Sequence, residues 1–174
     1  MLPSLQKSYA RMEKSRLRIL QLTDNISEPQ AHASPGPGEW SVVQVLEHMV
    51  TIDLRVLGAV QKQLGGSNLR PAGLKARFRL LLLKLVLRNR KKLKAPAILP
   101  QPAGDRSLEE WQREWEESRQ QWHQMLDNVP EIVLDKAIFK HPLAGYFTLA
   151  QTMDFITEHT RHHVPQVQRL VQQV

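Results

Sequence analysis

The sequence predicts an all-α protein, a four-helix bundle with one additional basic helix. Four long segments repeat their apolar residues at intervals of three and four, which is the spacing of a helix with one buried face. Three hydroxyl residues each stand three positions before a Glu or Gln, as at capped helix starts. Convincing strand alternation is missing except for a short piece around 132–139. The 174 residues, without repeats, fit one domain over 1–174.

The first segment predicts an amphipathic helix that runs to about Ser27. Its apolar residues stand among charged neighbours at Leu5, Tyr9, Met12, Ile19 and Ile26. Pro29 and the Pro-Gly-Pro-Gly stretch at 35–38 then predict an extended loop.

The second helix is expected to start at Ser41, which forms a capping box with Gln44. Gly65 and Gly66 are typical C-cap residues and predict its end. Its apolar stripe consists of Val45, Met49, Ile52, Val56 and Val60.

The third helix is the basic one, predicted to begin near Leu74 and to become wholly basic by Arg88. Its apolar positions are Phe78, Leu81, Leu82 and Leu85, and the prolines that end it are Pro96, Pro100 and Pro102. Segment 70–94 contains ten basic residues and no acid, whereas the whole chain carries a formal +7. The other residues therefore sum to a net −3, so the basicity belongs to this insertion at about 70–94.

The fourth and the last long helices also start at capping boxes, Ser107 with Glu110 and Thr148 with Gln151. The fourth carries a seam of Trp111, Trp115, Trp122, Met125 and Val129, closed by Pro130. Because these tryptophans follow helical core spacing, packing explains them better than a cofactor box. The last helix has an unbroken core repeat at Leu149, Met153, Ile156, Thr160, His163, Val167, Leu170 and Val174.

Composition excludes several classes of site. The chain has no cysteine, which rules out disulfides, thiolate nucleophiles and Cys-based metal sites. The longest nearly apolar run, 78–87, is about half of the ~20 residues that a membrane span needs, and Arg79 and Lys84 interrupt it. The N-terminus lacks the apolar core of a secretory signal, so a cytoplasmic location is expected.

Histidine stands where the last helix should present apolar side chains. His159 and His163 are four residues apart on the core face, which places their side chains next to each other. His48 borders the apolar face of the second helix, and a bundle core could bring it to the pair. Three neutral imidazoles with an open position suit a divalent ion such as Zn, Ni or Fe.

The alternative for these histidines is an ordinary satisfied core or surface role, since a histidine pair four residues apart arises easily by chance. Burying an uncompensated polar group costs roughly 1–3 kcal/mol, which weighs against that alternative at a core position. His162 offers a competing pair with His159, but it points away from the seam and is expected to be exposed. Pro165 removes an N–H within the same helix and predicts a kink just past His163.

Three segments together resemble the DinB-like superfamily of DNA-damage-inducible metalloenzymes. They are 38–48, which reads GEWSVVQVLEH, 141–149, which reads HPLAGYFTL, and the H-x-x-x-H-V-P-Q-V run at 159–167. The likeness covers most of the chain, from the Trp-Ser helix start to the C-terminus. It implies a four-helix bundle, often dimeric, that holds a divalent metal on His48, His159 and His163. Known members include transferases that use low-molecular-weight thiols such as bacillithiol, and mycothiol-dependent isomerases.

The functional hypothesis from the sequence is a metal-dependent enzyme that activates a thiol or a water molecule toward a small electrophile. The expected partners are a small-molecule substrate and a second copy in a homodimer. No acid or base catalyst is assigned: Gln44 is explained by capping, Glu158 is expected to be solvated, and His141 fits a structural role as well as a substrate contact. Trp40 precedes the Ser41 cap and is expected to pack on Val45.

A rival hypothesis is a noncatalytic module that binds nucleic acid or an anionic membrane surface through the basic helix. No nucleic-acid reading motif is present in the sequence. The apolar centre of that helix at 80–83 also suits packing against the bundle or a dimer partner, with the cations solvated along one side.

Overall fold

Six α-helices and one β-hairpin make up the structure, a computed structural model that describes residues 1–66, 69–73, 75–88 and 101–173. The helices are α1 (Pro3–Thr23), α2 (Glu28–His32), α3 (Val42–Leu64), α4 (Lys75–Arg88), α5 (Leu108–Asp127) and α6 (Leu149–Gln173). A 3₁₀ turn spans Glu131–Val133, and the strands are β1 (Phe139–His141) and β2 (Gly145–Phe147). The predicted all-α bundle with an additional basic helix is confirmed.

The four long helices α1, α3, α5 and α6 form the bundle. Helix α6 packs against α1 and α3, and α5 packs mainly against α3. The extra helix α4 lies on α6 and on β2. None of the helices in the described part of the chain has the length and apolarity that crossing a bilayer requires.

The predicted helix starts are confirmed by reciprocal hydrogen bonds. The Ser41 hydroxyl accepts from the Gln44 backbone N–H at 3.3 Å, and the Gln44 side chain accepts from the Ser41 backbone N–H at 3.0 Å. Equivalent pairs cap α5 and α6 at Ser107 and Thr148. Because a cap fixes the first residue of a helix, it also fixes which later residues face the core.

The first helix is shorter than predicted. It ends at Thr23 instead of about Ser27, and Ser27 becomes the N-cap of the separate helix α2. Pro29 therefore lies in the first turn of a helix and not in an extended loop. A first turn tolerates the missing N–H of proline, whereas the interior of one continuous helix would lose a hydrogen bond there.

The end of α3 matches its prediction, and the strand region does not. Helix α3 ends at Leu64, with Gly65 in the right-handed α region at φ −73°. In the 132–139 region, the first residues form a 3₁₀ turn, Lys136 forms an isolated antiparallel bridge with Pro71, and the hairpin begins at Phe139, which lies opposite Phe147. Gly145 begins β2 at φ +77°, and a Cβ there would lie 2.6 Å from the Arg79 guanidinium. Glycine suits this position because its φ lies in the left-handed region, which side chains disfavour.

The apolar face predicted for α4 points the wrong way. Phe78, Leu81, Leu82 and Leu85 are all exposed, by 46–62%. The side that faces the bundle carries Leu80, which is 6% exposed, together with the partly buried Leu83 and Leu87. Helix α4 is apolar on both sides, so helical spacing alone could not identify the buried one. Leu74, the basic residues after Arg88, Pro96, Pro100 and Val174 lie outside the described residues.

The aromatic seam of α5 and the core repeat of α6 are confirmed. Trp115 and Trp122 are fully buried, and Trp111 is 7% exposed. In α6 the buried positions are Leu149, Met153, Ile156, Thr160, His163, Val167 and Leu170. Helix α6 continues through Pro165 to Gln173.

Candidate metal centre

Three histidines from two helices meet inside the bundle. His48 lies in the second turn of α3, on the side that faces α6, and it is 8% exposed. His159 and His163 lie one turn apart on α6, and His163 is 7% exposed. The structure thus brings together all three histidines that the sequence predicts as metal ligands.

The geometry of this cluster is compact. The ring centroids lie 5.2 Å apart between His48 and His159, 5.1 Å between His48 and His163, and 4.9 Å between the two histidines of α6. One nitrogen from each ring lies within 4.8 Å of those from the other two. The Nε2 atoms of His48 and His159 are 3.2 Å apart. Two imidazole nitrogens on one tetrahedral zinc ion, each about 2.0–2.1 Å from it, would be about 3.3 Å apart.

Burial keeps the three imidazoles neutral. Desolvation, followed by the neighbouring His162, lowers the pKa of His48 to about 4. Desolvation and the charge of His48 lower the pKa of His163 to about 3. The pKa of His159 is also held well below its ordinary value, first by burial and then by the other histidines. Neutral imidazole is the form that binds a metal ion.

Gln166 fixes the orientation of one ring. Its side-chain oxygen lies 2.9 Å from Nδ1 of His163, one turn along α6. An amide oxygen only accepts hydrogen bonds, so Nδ1 donates the proton and Nε2 keeps its lone pair. This is the arrangement in which a carbonyl group orients a ligating histidine. The three-residue spacing on a helix could have revealed Gln166 from the sequence, but it was missed.

Aromatic side chains line the cluster. The Trp40 ring lies 5.2 Å from that of His48, and the Phe155 ring lies 6.0 Å from that of His159. The sequence pattern pairs Trp40 with Val45, and its spacing gives no signal of the contact with His48. Apolar neighbours exclude water and strengthen electrostatic interactions inside such a site.

Two polar residues next to the ligand positions were predicted wrongly. Glu158 is 5% exposed and forms an ion pair with Arg161, so it is buried and not solvated. His162 is half-buried and not exposed, because its Nδ1 lies 2.6 Å from the backbone carbonyl of Leu87 in α4. The error at His162 follows from α4, which packs on α6 and supplies this carbonyl.

Two further candidates have structural roles. The Gln44 side chain completes the cap of α3 and also donates to the carbonyl of Pro102. In the hairpin, Nδ1 of His141 accepts from the backbone N–H groups of Leu143 and Ala144, at 3.2 and 3.1 Å. The pKa of His141 is lowered by burial. The hairpin turn thus fixes its neutral tautomer with the proton on Nε2.

A buried ion pair lies one turn beyond His48 and was not predicted. Asp53 on α3 accepts two hydrogen bonds from Nη1 of Arg119 on α5, at 2.9 and 2.7 Å, and one from the Ser118 hydroxyl. Both charged side chains are only 2% exposed. The pair fixes the position of α3, and with it His48, relative to α5.

Comparisons with known proteins agree with this fold. The chain is 24% identical over 162 residues to the uncharacterized protein YuaE of Bacillus subtilis strain 168, covering 92% of this chain and 95% of that protein. Among solved structures it is similar to YfiT from Bacillus subtilis, with a TM-score of 0.61, 18% identity, and coverage of 99% of this chain and 89% of the other. YfiT is described as a probable metal-dependent hydrolase with an unusual four-helix bundle topology.

The family assignment rests on the sequence itself. The family model of the DinB superfamily matches residues 11–167, which include the larger part of α1, all of α2 to α5 and most of α6. The resemblance carried by the Trp-Ser helix start and the H-x-x-x-H spacing is thereby confirmed. This chain belongs to the DinB superfamily.

Proposed function

We propose that the protein is a divalent-metal-dependent enzyme in which His48, His159 and His163 hold the ion. The observation that carries this proposal is the convergence of three neutral imidazoles within 4.8 Å in a buried part of the bundle. The description of YfiT as a probable metal-dependent hydrolase supports the same class. Nitrogen ligands of this kind suit Zn, Ni or Fe.

The reaction we propose is attack of a thiol or a water molecule on a small electrophile, with thiol S-transfer as the specific form. A metal ion bound there would supply Lewis acidity, which favours the deprotonated form of either nucleophile. Three protein ligands leave a position for a small molecule. The chain itself contributes the aromatic rings of Trp40 and Phe155, which line the site, and the oriented ring of His163.

Metal content tests the site. Protein purified without an affinity tag is expected to contain about one ion per chain by elemental analysis, as one cluster of three ligands predicts. His48→Ala, His159→Ala and His163→Ala should each lower that stoichiometry strongly. His123→Ala, at an exposed histidine of α5, is the matched control and should leave it unchanged.

His162→Ala separates the two possible histidine pairs of α6. Loss of metal with His162→Ala together with retention in His163→Ala would contradict the proposed ligand set. Unchanged metal content in all three ligand variants would show that the cluster is not a metal site.

A substrate screen tests the reaction. Metal-loaded protein is mixed with a generic electrophile and a panel of low-molecular-weight thiols, and in parallel with ester and amide substrates in water. Thiol consumption above the rate of the His163→Ala variant supports S-transfer, and hydrolysis without thiol consumption supports water as the nucleophile. Equal rates for loaded protein and the variant in both arms would contradict the proposed reaction.

A further inference from the structure

The inner face of α4 already packs against the bundle. Leu80 is buried, Leu83 and Leu87 pack against the core, and the Lys84 ammonium pairs with Asp154 at 2.9 Å. The opposite face exposes five large apolar side chains, Phe78, Leu81, Leu82, Leu85 and Val86, each by 46–62%. Contiguous exposed apolar side chains of this size mark an interaction site in a folded protein.

The β-hairpin extends this apolar area. Strand β2 packs beside α4, and the Arg79 guanidinium lies against Gly145 at its start. Leu143 and Tyr146 of the hairpin are 80% and 52% exposed. We call the exposed side chains of α4 and these two hairpin residues the outer surface. Its aromatic and aliphatic groups lie beside exposed cations at Arg79 and Lys140.

The sequence of the segment that contains α4 carries charge of one sign. Segment 70–94 has ten basic residues and no acidic one. Two copies that met symmetrically through this surface would bring the two basic segments together, and like charges oppose such contact. A nucleic acid would use the cations but leaves large apolar side chains without a partner. An anionic bilayer satisfies both groups, since its interface takes up apolar side chains and its headgroups attract cations.

We propose that the outer surface docks the protein onto an anionic lipid bilayer, with α4 lying in the plane of the interface. Leucine, phenylalanine and valine side chains then enter the boundary between headgroups and acyl chains, while Arg79 and Lys140 remain among the headgroups. Tyr146 suits this position because its ring is apolar and its hydroxyl is polar. The inference is independent of the metal centre, because none of its residues belongs to the histidine cluster.

Vesicle sedimentation tests the proposal on the full chain. Wild-type protein is expected to bind vesicles of phosphatidylserine and phosphatidylcholine, to bind vesicles of phosphatidylcholine alone much more weakly, and to lose affinity as salt rises. Equal binding to both vesicle types, or no binding to either at low salt, would overturn the proposal.

Paired substitutions separate the two contributions. Leu81→Ser with Leu85→Ser should weaken binding at least about tenfold, because apolar burial supplies part of the affinity. Arg79→Gln should weaken it about fivefold, as expected for one cation near an anionic surface. Leu17→Ser and Arg18→Gln, at exposed positions of α1, are the matched controls and should bind like the wild type.

All the substituted side chains are exposed, so thermal unfolding and the metal content should stay unchanged. Wild-type-like vesicle binding by the double leucine variant would overturn the proposal. So would binding to duplex DNA in place of vesicles, with an affinity that the leucine substitutions leave unchanged. Self-association that these substitutions abolish, without any vesicle binding, would assign the surface to a second copy instead.

Discussion

The bundle interior and the outer surface both depart from the usual distribution of side chains. The interior contains polar and charged side chains, and the outer surface presents apolar ones. The interior encloses three histidines, of which His48 and His163 are buried, and the buried Asp53–Arg119 pair, whereas the outer surface exposes leucines and a phenylalanine. Buried polar groups and exposed apolar patches carry more information than an ordinary core. In this protein the first feature carries the proposed metal centre and the second carries the proposed docking surface.

The largest expected effect comes from breaking the buried ion pair of the bundle interior. Asp53→Ala leaves the Arg119 charge buried without its main partner, and we expect the free energy of unfolding to fall by about 3–5 kcal/mol. Urea denaturation measures the loss. Asp135→Ala, which removes an exposed carboxylate paired with Lys136, should cost less than about 1 kcal/mol. Similar losses for both variants would mean that burial does not distinguish the two pairs.

The next largest effect comes from two neighbouring leucines of α4, one buried and one exposed. Leu80 is 6% exposed and Leu81 is 54% exposed, so identical substitutions report the two faces directly. We expect Leu80→Ala to lower the free energy of unfolding by about 2–4 kcal/mol. Leu81→Ala should change it by no more than about 0.5 kcal/mol. A larger effect at Leu81 than at Leu80 would mean that the orientation of α4 is wrong.

Gln166→Ala tests the orientation of a single ring in the interior. Without the amide oxygen, Nδ1 of His163 loses its fixed proton partner, and metal affinity should fall about 10- to 100-fold. Competition with a chromophoric chelator measures the affinity. Gln168→Ala, two residues further on α6, is the matched control. An unchanged affinity in Gln166→Ala would show that His163 does not need this contact to bind metal.

Within one pH unit, the smallest expected effect is that of a single histidine on the pH dependence of the metal-free protein. The unfolded chain protonates its histidines near pH 6.5, whereas folded His48 does so only near pH 4 and His163 near pH 3. Between these values the unfolded state binds more protons, so stability falls as pH decreases through this window. The slope is at most about 1.4 kcal/mol per pH unit for each histidine.

Urea denaturation with a chelator present, at a series of pH values, measures that slope. His163→Gln should flatten it, and His32→Gln, at an exposed histidine, should not. A slope that His163→Gln leaves unchanged would assign the pH dependence to other groups.

Local signals predicted the frame of the molecule well. The capping residues Ser41, Ser107 and Thr148 act within one helical turn, so their effect can be read from adjacent sequence. The pair His159 and His163 is local in the same sense. Bringing His48 to that pair required the assumption that the two helices face each other, and the structure has that arrangement.

What the sequence could not predict depends on contacts between distant segments. Helix α4 is apolar on both sides, and only its position on α6 shows that Leu80 faces inward. Glu158 is buried because α1, α3 and α4 together leave little of α6 for solvent. The Asp53–Arg119 pair joins residues 66 positions apart, and no spacing rule indicates such a contact.

The bond between His162 and the Leu87 carbonyl connects the two regions contrasted above. His162 is the immediate neighbour of His163, and Leu87 lies in the last turn of the helix that carries the outer surface. A force that pulls α4 away from the bundle must therefore either break this 2.6 Å contact or drag the turn of α6 that carries His163. This contact makes the position of the histidine cluster depend on how tightly α4 packs against α6.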